Sequence, residues 1–253
     1  MDTEMGQSSP FISVITVVFN AAASLEKTIQ SVIGQRQADF EYVIIDGGST
    51  DGTLQVIRRF ESSLALWLSE PDEGIYDAMN KGIRASRGGW LIFLNAGDTF
   101  IDNQSLQRLT HIAQNGEFDL IYGDAMMVHI DGTEARMDMQ DTLPFLLRNM
   151  ICHQSILYRR ECFEQKGYFD TSYRIAADFE HLLRLKWSGA KITKLDAVIS
   201  RYQLDGLSAK QENISKIWKE RMKIYSGAKS MPLLVRCVFW LYAKIAYEFR
   251  KRV

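Results

Sequence analysis

Residues Phe11 to Phe19, FISVITVVF, form an unbroken apolar run rich in β-branched side chains, the pattern of a strand buried on both faces. No other stretch constrains the fold as much, because such a strand needs helices above and below it. The chain supplies them. After Asn20, apolar positions Leu25, Ile29, Val32 and Ile33 recur at helical spacing until Gly34, with Ser24 as the expected cap. Tyr42 to Ile45 reads as a strand, Leu54 to Phe60 as a helix, Leu64 to Leu68 as a strand, Tyr76 to Ala85 as a helix and Trp90 to Leu94 as a strand. This alternation predicts βαβ units and an α/β fold with a mainly parallel central sheet flanked by helices. Ligands of such sheets sit at the carboxyl ends of the strands. Asn20, Asp46 and Asn95-Ala96-Gly97-Asp98 each fall just past one.

Between about Asp119 and Tyr202 the pattern changes to short strands (Leu120 to Tyr122, Ala125 to His129, Ser155 to Tyr158) and a helix from Asp178 to Trp187. Without internal repeats or a Pro-, Gly- and Ser-rich linker, residues 1–206 read as one domain and 207–253 as an amphipathic helical tail. The tail is basic. From Leu207 to Val253 eleven Lys and Arg stand against three Glu, a local charge of +8, which leaves −9 for residues 1–206 within the net −1. The near-neutral total argues against a general nucleic-acid binder, and the asymmetry points to a body that holds cations and a tail that seeks an anionic surface.

Three cysteines (Cys152, Cys162, Cys237) make neither a disulfide framework nor a zinc motif, so a reducing compartment is expected. The opening MDTEMGQSSP lacks the basic and apolar regions of a signal peptide. No stretch approaches the roughly 20 apolar residues that span a bilayer. These features predict a cytoplasmic domain. Met231 to Tyr247 is apolar apart from Arg236 and Lys244 and is followed by Arg250-Lys251-Arg252, which suits either a peripheral membrane contact or a helix packed on the domain.

Several polar clusters can carry chemistry, and each has a structural alternative. Asp98 on a tight loop after a strand can reach a hard divalent cation, although Asn, Gly and Asp also simply favour turns. In Asp46-Gly47-Gly48-Ser49-Thr50-Asp51-Gly52-Thr53 the glycines permit close backbone approach to a ligand, and Ser49 or Asp51 would equally serve as helix caps. It is neither a Walker loop nor a dinucleotide fingerprint. Asp77, Asn80 and Lys81 share one face of a helix whose N-terminus can meet phosphate, or they form a solvated face. Asp178, at a helix start, reads as a cap or a general base; His153 opens a strand and reads as structural or functional.

The order of these pieces is more specific than any one of them. Phe19-Asn20, then DGGSTDGT, EPDEGIYDAMNKGI, LNAGD, His153-Gln154-Ser155 and ADFEHLLRL resemble glycosyltransferase family 2 over about Ile12 to Tyr202, in its colanic-acid, capsule and O-antigen branch. The resemblance implies a GT-A fold with a nucleotide-binding half (11–100) and an acceptor-binding half (101–206). It implies that Thr16, Phe19 and Asp46 hold the nucleotide of a UDP-sugar, Phe19 beside the base. Asn20, Gly47, Asp77, Asn80, Lys81, Asn95, Ala96 and Gly97 complete the expected donor site. Asp98 matches the last acid of the family's metal motif for Mn2+ or Mg2+; His153 falls where the family often places an acceptor- or phosphate-side group, and metal binding is expected to lean on it as well. Asp178 matches the catalytic base of an inverting transfer to a glycan acceptor, expected to be polyprenyl-diphosphate-linked at the inner face of the cytoplasmic membrane. Asn95 and Gly97 stand where acids are usual in the metal motif, and Ala177 stands where a glutamate often precedes the base. A nucleotidyltransferase would need a basic glycine-rich loop that Phe19-Asn20-Ala21-Ala22-Ala23 lacks; a non-catalytic binder of the same fold would have no use for Asp178.

Overall fold

The computed structural model describes residues 9–129, 131–203 and 211–250. Strand β1 (Ile12–Val18), helix α1 (Ala22–Ile33), β2 (Phe40–Asp46), α2 (Thr53–Arg59), β3 (Leu66–Ser69), α3 (Ile75–Ala85) and β4 (Trp90–Phe93) build the first half. The second half comprises β5 (Thr99–Phe100), α4 (Ser105–Gln114), β6 (Leu120–Val128), β7 (Glu134–Met137), α5 (Leu143–Arg148), β8 (Ile156–Arg159), α6 (Glu161–Lys166), α7 (Ala177–Trp187) and β9 (Ile192–Gln203). Helices α8 (Gln211–Gly227) and α9 (Leu233–Arg250) follow.

Among the described residues one nine-stranded sheet runs in the order β3-β2-β1-β4-β8-β6-β9-β5, with β7 paired to β6. The four strands of the first half are parallel to one another, as the strand–helix alternation predicts. Beyond β4 the sheet is mixed: β8 is antiparallel to both β4 and β6, and β9 runs parallel to β6. The two short segments expected at 120–122 and 125–129 are one strand, β6, with an irregularity in its pairing to β9 around Asp124. Alternate residues of β1 enter opposite cores. Ile15 and Val17 join the core under α3, α7 and α8, while Ile12, Val14 and Val18 join the one under α1, α2 and α4. Burial on both faces is what the continuous apolar run demands.

Helix α1 begins before Ser24, whose hydroxyl points back at the Ala21 carbonyl rather than capping an amide. The amides of Ala21 and Ala22 go instead to Thr53 Oγ1 and Asp51 Oδ2, 3.0 and 3.1 Å away on the following loop. Helix α3 lies tight on the sheet at Gly82, where a methyl group would approach Ile15 Cγ2 to 2.4 Å.

Helix α7 is pinned by a neutral histidine. His181 is fully buried, stacked on Phe163 at 4.4 Å and 8° and edge-on to Phe169 at 5.1 Å. Burial, and then the nearby Arg184 cation, pull its pKa from 6.5 down to about 3. The unfolded chain therefore takes up this proton first as pH falls below 6.5, and the ring's contribution is lost on acidification through that window. At pH 5 the loss is about 2 kcal/mol relative to neutral pH. Urea unfolding at the two pH values should show this loss in the wild type and a smaller one in His181→Phe.

Candidate active site

The carboxyl ends of β1, β2 and β4 and the start of α7 meet at one edge of the sheet, and the polar residues gather there. Asp98 follows β4, and Asp178 is the second residue of α7. The short turn His153–Ser155, just before β8, joins them. His153 Nδ1 lies 2.9 Å from Asp178 Oδ2, and Gln154 Nε2 donates to Asp98 Oδ2 at 2.8 Å. Two consecutive residues thus hold the two acids, eighty positions apart in sequence, in one cluster. Both acids are largely covered, at 7% and 5% exposure.

Each oxygen of Asp178 has a distinct environment. Oδ1 accepts the Phe179 amide at 2.8 Å and lies 2.9 Å from the Tyr76 hydroxyl, which also lies 2.7 Å from the Ile175 carbonyl. Among the described residues Oδ2 is met by the His153 ring alone, so it retains a lone pair. On the other side of that ring, Nε2 lies 3.0 Å from Asn95 Nδ2.

Both ring nitrogens of His153 are engaged in this structure, Nε2 by Asn95 and Nδ1 by Asp178. Oxygen donors remain. Asn95 Oδ1 is buried with no hydrogen-bond partner, three residues before Asp98 on the same loop. A hard cation prefers such an amide and carboxylate pair over imidazole. The loop therefore fits Mn2+ or Mg2+ through Asp98 and Asn95. Among the described residues no three His, Cys, Asp or Glu side chains converge on one point, so diphosphate and water would supply the remaining ligands. Asp98 is held in place by Gln154 and, at 3.3 Å, by the Gln203 amide, while Gly97 donates its amide to Thr28 Oγ1 from a positive φ of 103°.

The expected nucleotide residues divide. Phe19 is 62% exposed at the end of β1, an open aromatic face. Gly47 sits under it: a methyl there would meet Phe19 Cδ2 at 3.4 Å and Asp72 Oδ2 at 2.3 Å. Asn20 is also exposed, at a left-handed φ of 47°, and braces the glycine loop through the Thr50 amide. Ala96 is half-buried beside Asn95. Thr16 and Asp46 are turned inward instead. Thr16 is fully buried and donates to the Leu94 carbonyl at 2.7 Å. Asp46, also fully buried, accepts the Gly48 and Ser49 amides and the Ser49 and Ser69 hydroxyls. It shapes the loop, and a partly exposed acid, Asp72, lies beside Gly47.

The α3 residues are likewise tied up. Asn80 makes a reciprocal pair with the Phe169 backbone, at 2.9 and 3.1 Å. Lys81 bonds Glu70 at 2.9 Å and the Pro71 carbonyl at 2.8 Å, with Asp77 at 3.5 Å. These contacts fold the Glu70–Gly74 loop onto α3 and leave no free ammonium for phosphate. Their product is the position of Tyr76, beneath Asp178.

Two site-building residues lie where no motif signals them, in α8. Glu220 accepts the amides of Arg174, Ile175 and Ala176 at 2.8, 3.0 and 3.0 Å, the turn that leads into Asp178. Arg221, 4% exposed, stacks its guanidinium 4.2 Å from the Phe179 ring and 4.9 Å from Trp218, and donates to the Asn149 carbonyl. Glu220→Ala should lower kcat about tenfold to a hundredfold, since small misplacements of a catalytic group cost that much. Steady-state kinetics should show donor KM little changed.

A cavity of about 530 Å³ bordered by Glu117, Arg159 and Lys191 lies at the opposite edge of the sheet, by the start of β6 and β9, away from both acids. It carries none of the expected chemistry.

The fold is that of the GT-A glycosyltransferases. Residues 13–182 match the profile of glycosyl transferase family 2, and the chain belongs to that family. It is 36% identical over 208 residues to a PGL/p-HBAD biosynthesis glycosyltransferase of Mycobacterium tuberculosis, covering 79% of this chain and 80% of the relative. It is 27% identical to glycosyltransferase AglE of Haloferax volcanii, over 77% of this chain and 67% of that one. Its fold matches S. aureus TarS 1–349 in complex with UDP-GlcNAc, with a TM-score of 0.71 and 16% identity over 93% of this chain and 72% of that one. It also matches the mannosyltransferase PcManGT from Pyrobaculum calidifontis in complex with GDP-Man and Mn2+, with a TM-score of 0.73 and 16% identity over 97% and 74%.

Proposed function

We propose that this glycosyltransferase is metal-dependent and inverting, and moves a sugar from a UDP-sugar to a hydroxyl of a growing glycan. The observation that carries this reading is the joint placement of Asp178 and Asp98 through His153 and Gln154. Phe19, with Gly47 and Asp72 beneath it, offers the exposed platform for the nucleotide base. Asp98 and Asn95 would hold the divalent ion, which when bound neutralises charge on the departing diphosphate. Asp178 Oδ2 takes the proton of the acceptor hydroxyl as that oxygen bonds the anomeric carbon. The bond from that carbon to the diphosphate oxygen breaks on the opposite face, which inverts the centre. His153 holds Oδ2 in position through its Nδ1–H, and the Phe179 amide and Tyr76 hydroxyl fix Oδ1.

The UDP assignment draws on the family resemblance and on the UDP-GlcNAc complex of a structural neighbour. The acceptor is proposed to be a polyprenyl-diphosphate-linked glycan at the inner face of the cytoplasmic membrane. The local charge of +8 after residue 206 supports that location. The test needs no acceptor. Slow hydrolysis of an α-linked UDP-sugar in the presence of Mn2+, followed by proton NMR before mutarotation, should release the β-anomer first. Initial release of the α-anomer would refute inversion.

A further inference from the structure

The C-terminal hairpin has two unlike sides. Helix α8 and the inner face of α9 belong to the protein core: Trp218, Tyr225, Phe239 and Ala243 are buried together, with Phe239 edge-on to Tyr225 at 5.2 Å. The outer face of α9 touches nothing among the described residues that would bury it. Leu234, Val238, Leu241, Ile245 and Phe249 recur at steps of three and four, so they form one stripe. All five are between 50% and 77% exposed, and Leu233 at the helix start is 70% exposed. Scattered exposed leucines are ordinary, but a continuous stripe of this length marks a surface with a partner.

Charge selects the partner. From Lys229 to Val253 the sequence carries six Lys and Arg and a single acid, Glu248. Arg236 is occupied by the carbonyls of Tyr225 and Ser226. The Lys244 ammonium rides 5.1 Å from the centre of the Trp240 ring, where an aromatic and a cation can share a bilayer headgroup region. A second copy would bring the same positive charge against this one, whereas an anionic lipid surface complements it. The helix is also not long and apolar enough to cross a bilayer.

We propose that the outer face of α9 is a membrane-docking face that lies flat in the headgroup region of an anionic bilayer. This deepens the membrane-side placement of the acceptor proposed above. It has a structural consequence: the docked helix packs on α8, and α8 carries Glu220, which holds the turn before Asp178, and Arg221, which stacks on Phe179 just after it. The bilayer and the base are thus connected through a single packed hairpin, and docking sets the orientation of the acceptor half toward the surface.

The test is vesicle flotation of the full chain with phosphatidylglycerol–phosphatidylcholine vesicles and with pure phosphatidylcholine, using wild type and the Leu234→Gln/Leu241→Gln/Ile245→Gln variant. All three positions are exposed and remote from the donor site, so donor hydrolysis in solution should be unchanged and reports separately on the transferase reading. Partitioning to anionic vesicles should fall on the order of a hundredfold in the variant, and wild-type binding should weaken as salt rises. A polarity-sensitive fluorophore on Cys237, the exposed cysteine beside the stripe, should shift to the blue on those vesicles. Absence of wild-type binding, equal binding by the variant, or equal binding to neutral vesicles would overturn the proposal. So would a wild-type dimer that the substitutions dissociate without any vesicle binding, which would make a second copy the occupant.

Discussion

Asp178→Asn should lower kcat by about 10²–10⁴, the usual cost of losing a general base, and leave donor binding intact. The amide has nearly the same shape as the carboxylate and keeps an oxygen that can accept the Phe179 amide, so the start of α7 should hold. It lacks the basic lone pair that Oδ2 offers. His153 Nδ1 approaches this oxygen from one side only. Stopped-flow or steady-state kinetics with a UDP-sugar, paired with calorimetry of UDP binding, separate the two effects. Normal turnover, or loss of donor binding together with turnover, would remove Asp178 from the role of base.

Asp98→Ala should act on the opposite half of the reaction. With Mn2+ present, UDP affinity should fall by about tenfold or more, the scale seen when metal-site support is removed. Adding a chelator should then cause little further loss. Asp98 is the only acid of the Asn95–Asp98 loop, and Gln154 and the Gln203 amide donate to it and position it. Asn95→Ala should weaken the same binding less, because an amide oxygen is the poorer cation ligand. Calorimetric affinity unchanged in Asp98→Ala would exclude it from the donor site.

Much of the catalytic edge was legible because its determinants are local. A buried β-branched strand announces where it stops, and Phe19 and Asn95 to Asp98 follow β1 and β4 at the carboxyl edge of the sheet. Asp178 was legible as the polar start of an amphipathic helix. The direction in which a side chain points was not. Thr16, Asp46 and Asn80 are polar residues beside a ligand edge, yet each satisfies buried backbone or hydroxyl groups, a requirement that sequence spacing does not reveal. The sequence marks His153 but not the groups that face its two nitrogens, Asp178 and Asn95, which only the folded chain brings to it. β9 was missed since Lys194 and Asp196 interrupt its apolar pattern; Lys194 in fact pairs with the buried Asp124 at 2.9 Å. Glu220 could not be found from motifs at all. It lies in a basic tail and acts on a turn forty-four to forty-six positions earlier, a contact that only the folded chain creates.

Histidine NMR reads the shared centre directly. The chain has four histidines, and His153 alone bridges Asn95 to Asp178, while His111 lies on the solvent side of α4. Titration of the 15N-histidine-labelled protein with Mn2+ and UDP should broaden the His153 ring signals first and leave those of His111 sharp. Sharp His153 signals in the fully formed Mn2+–UDP complex would put the cation away from Asp178 and contradict a single reaction centre.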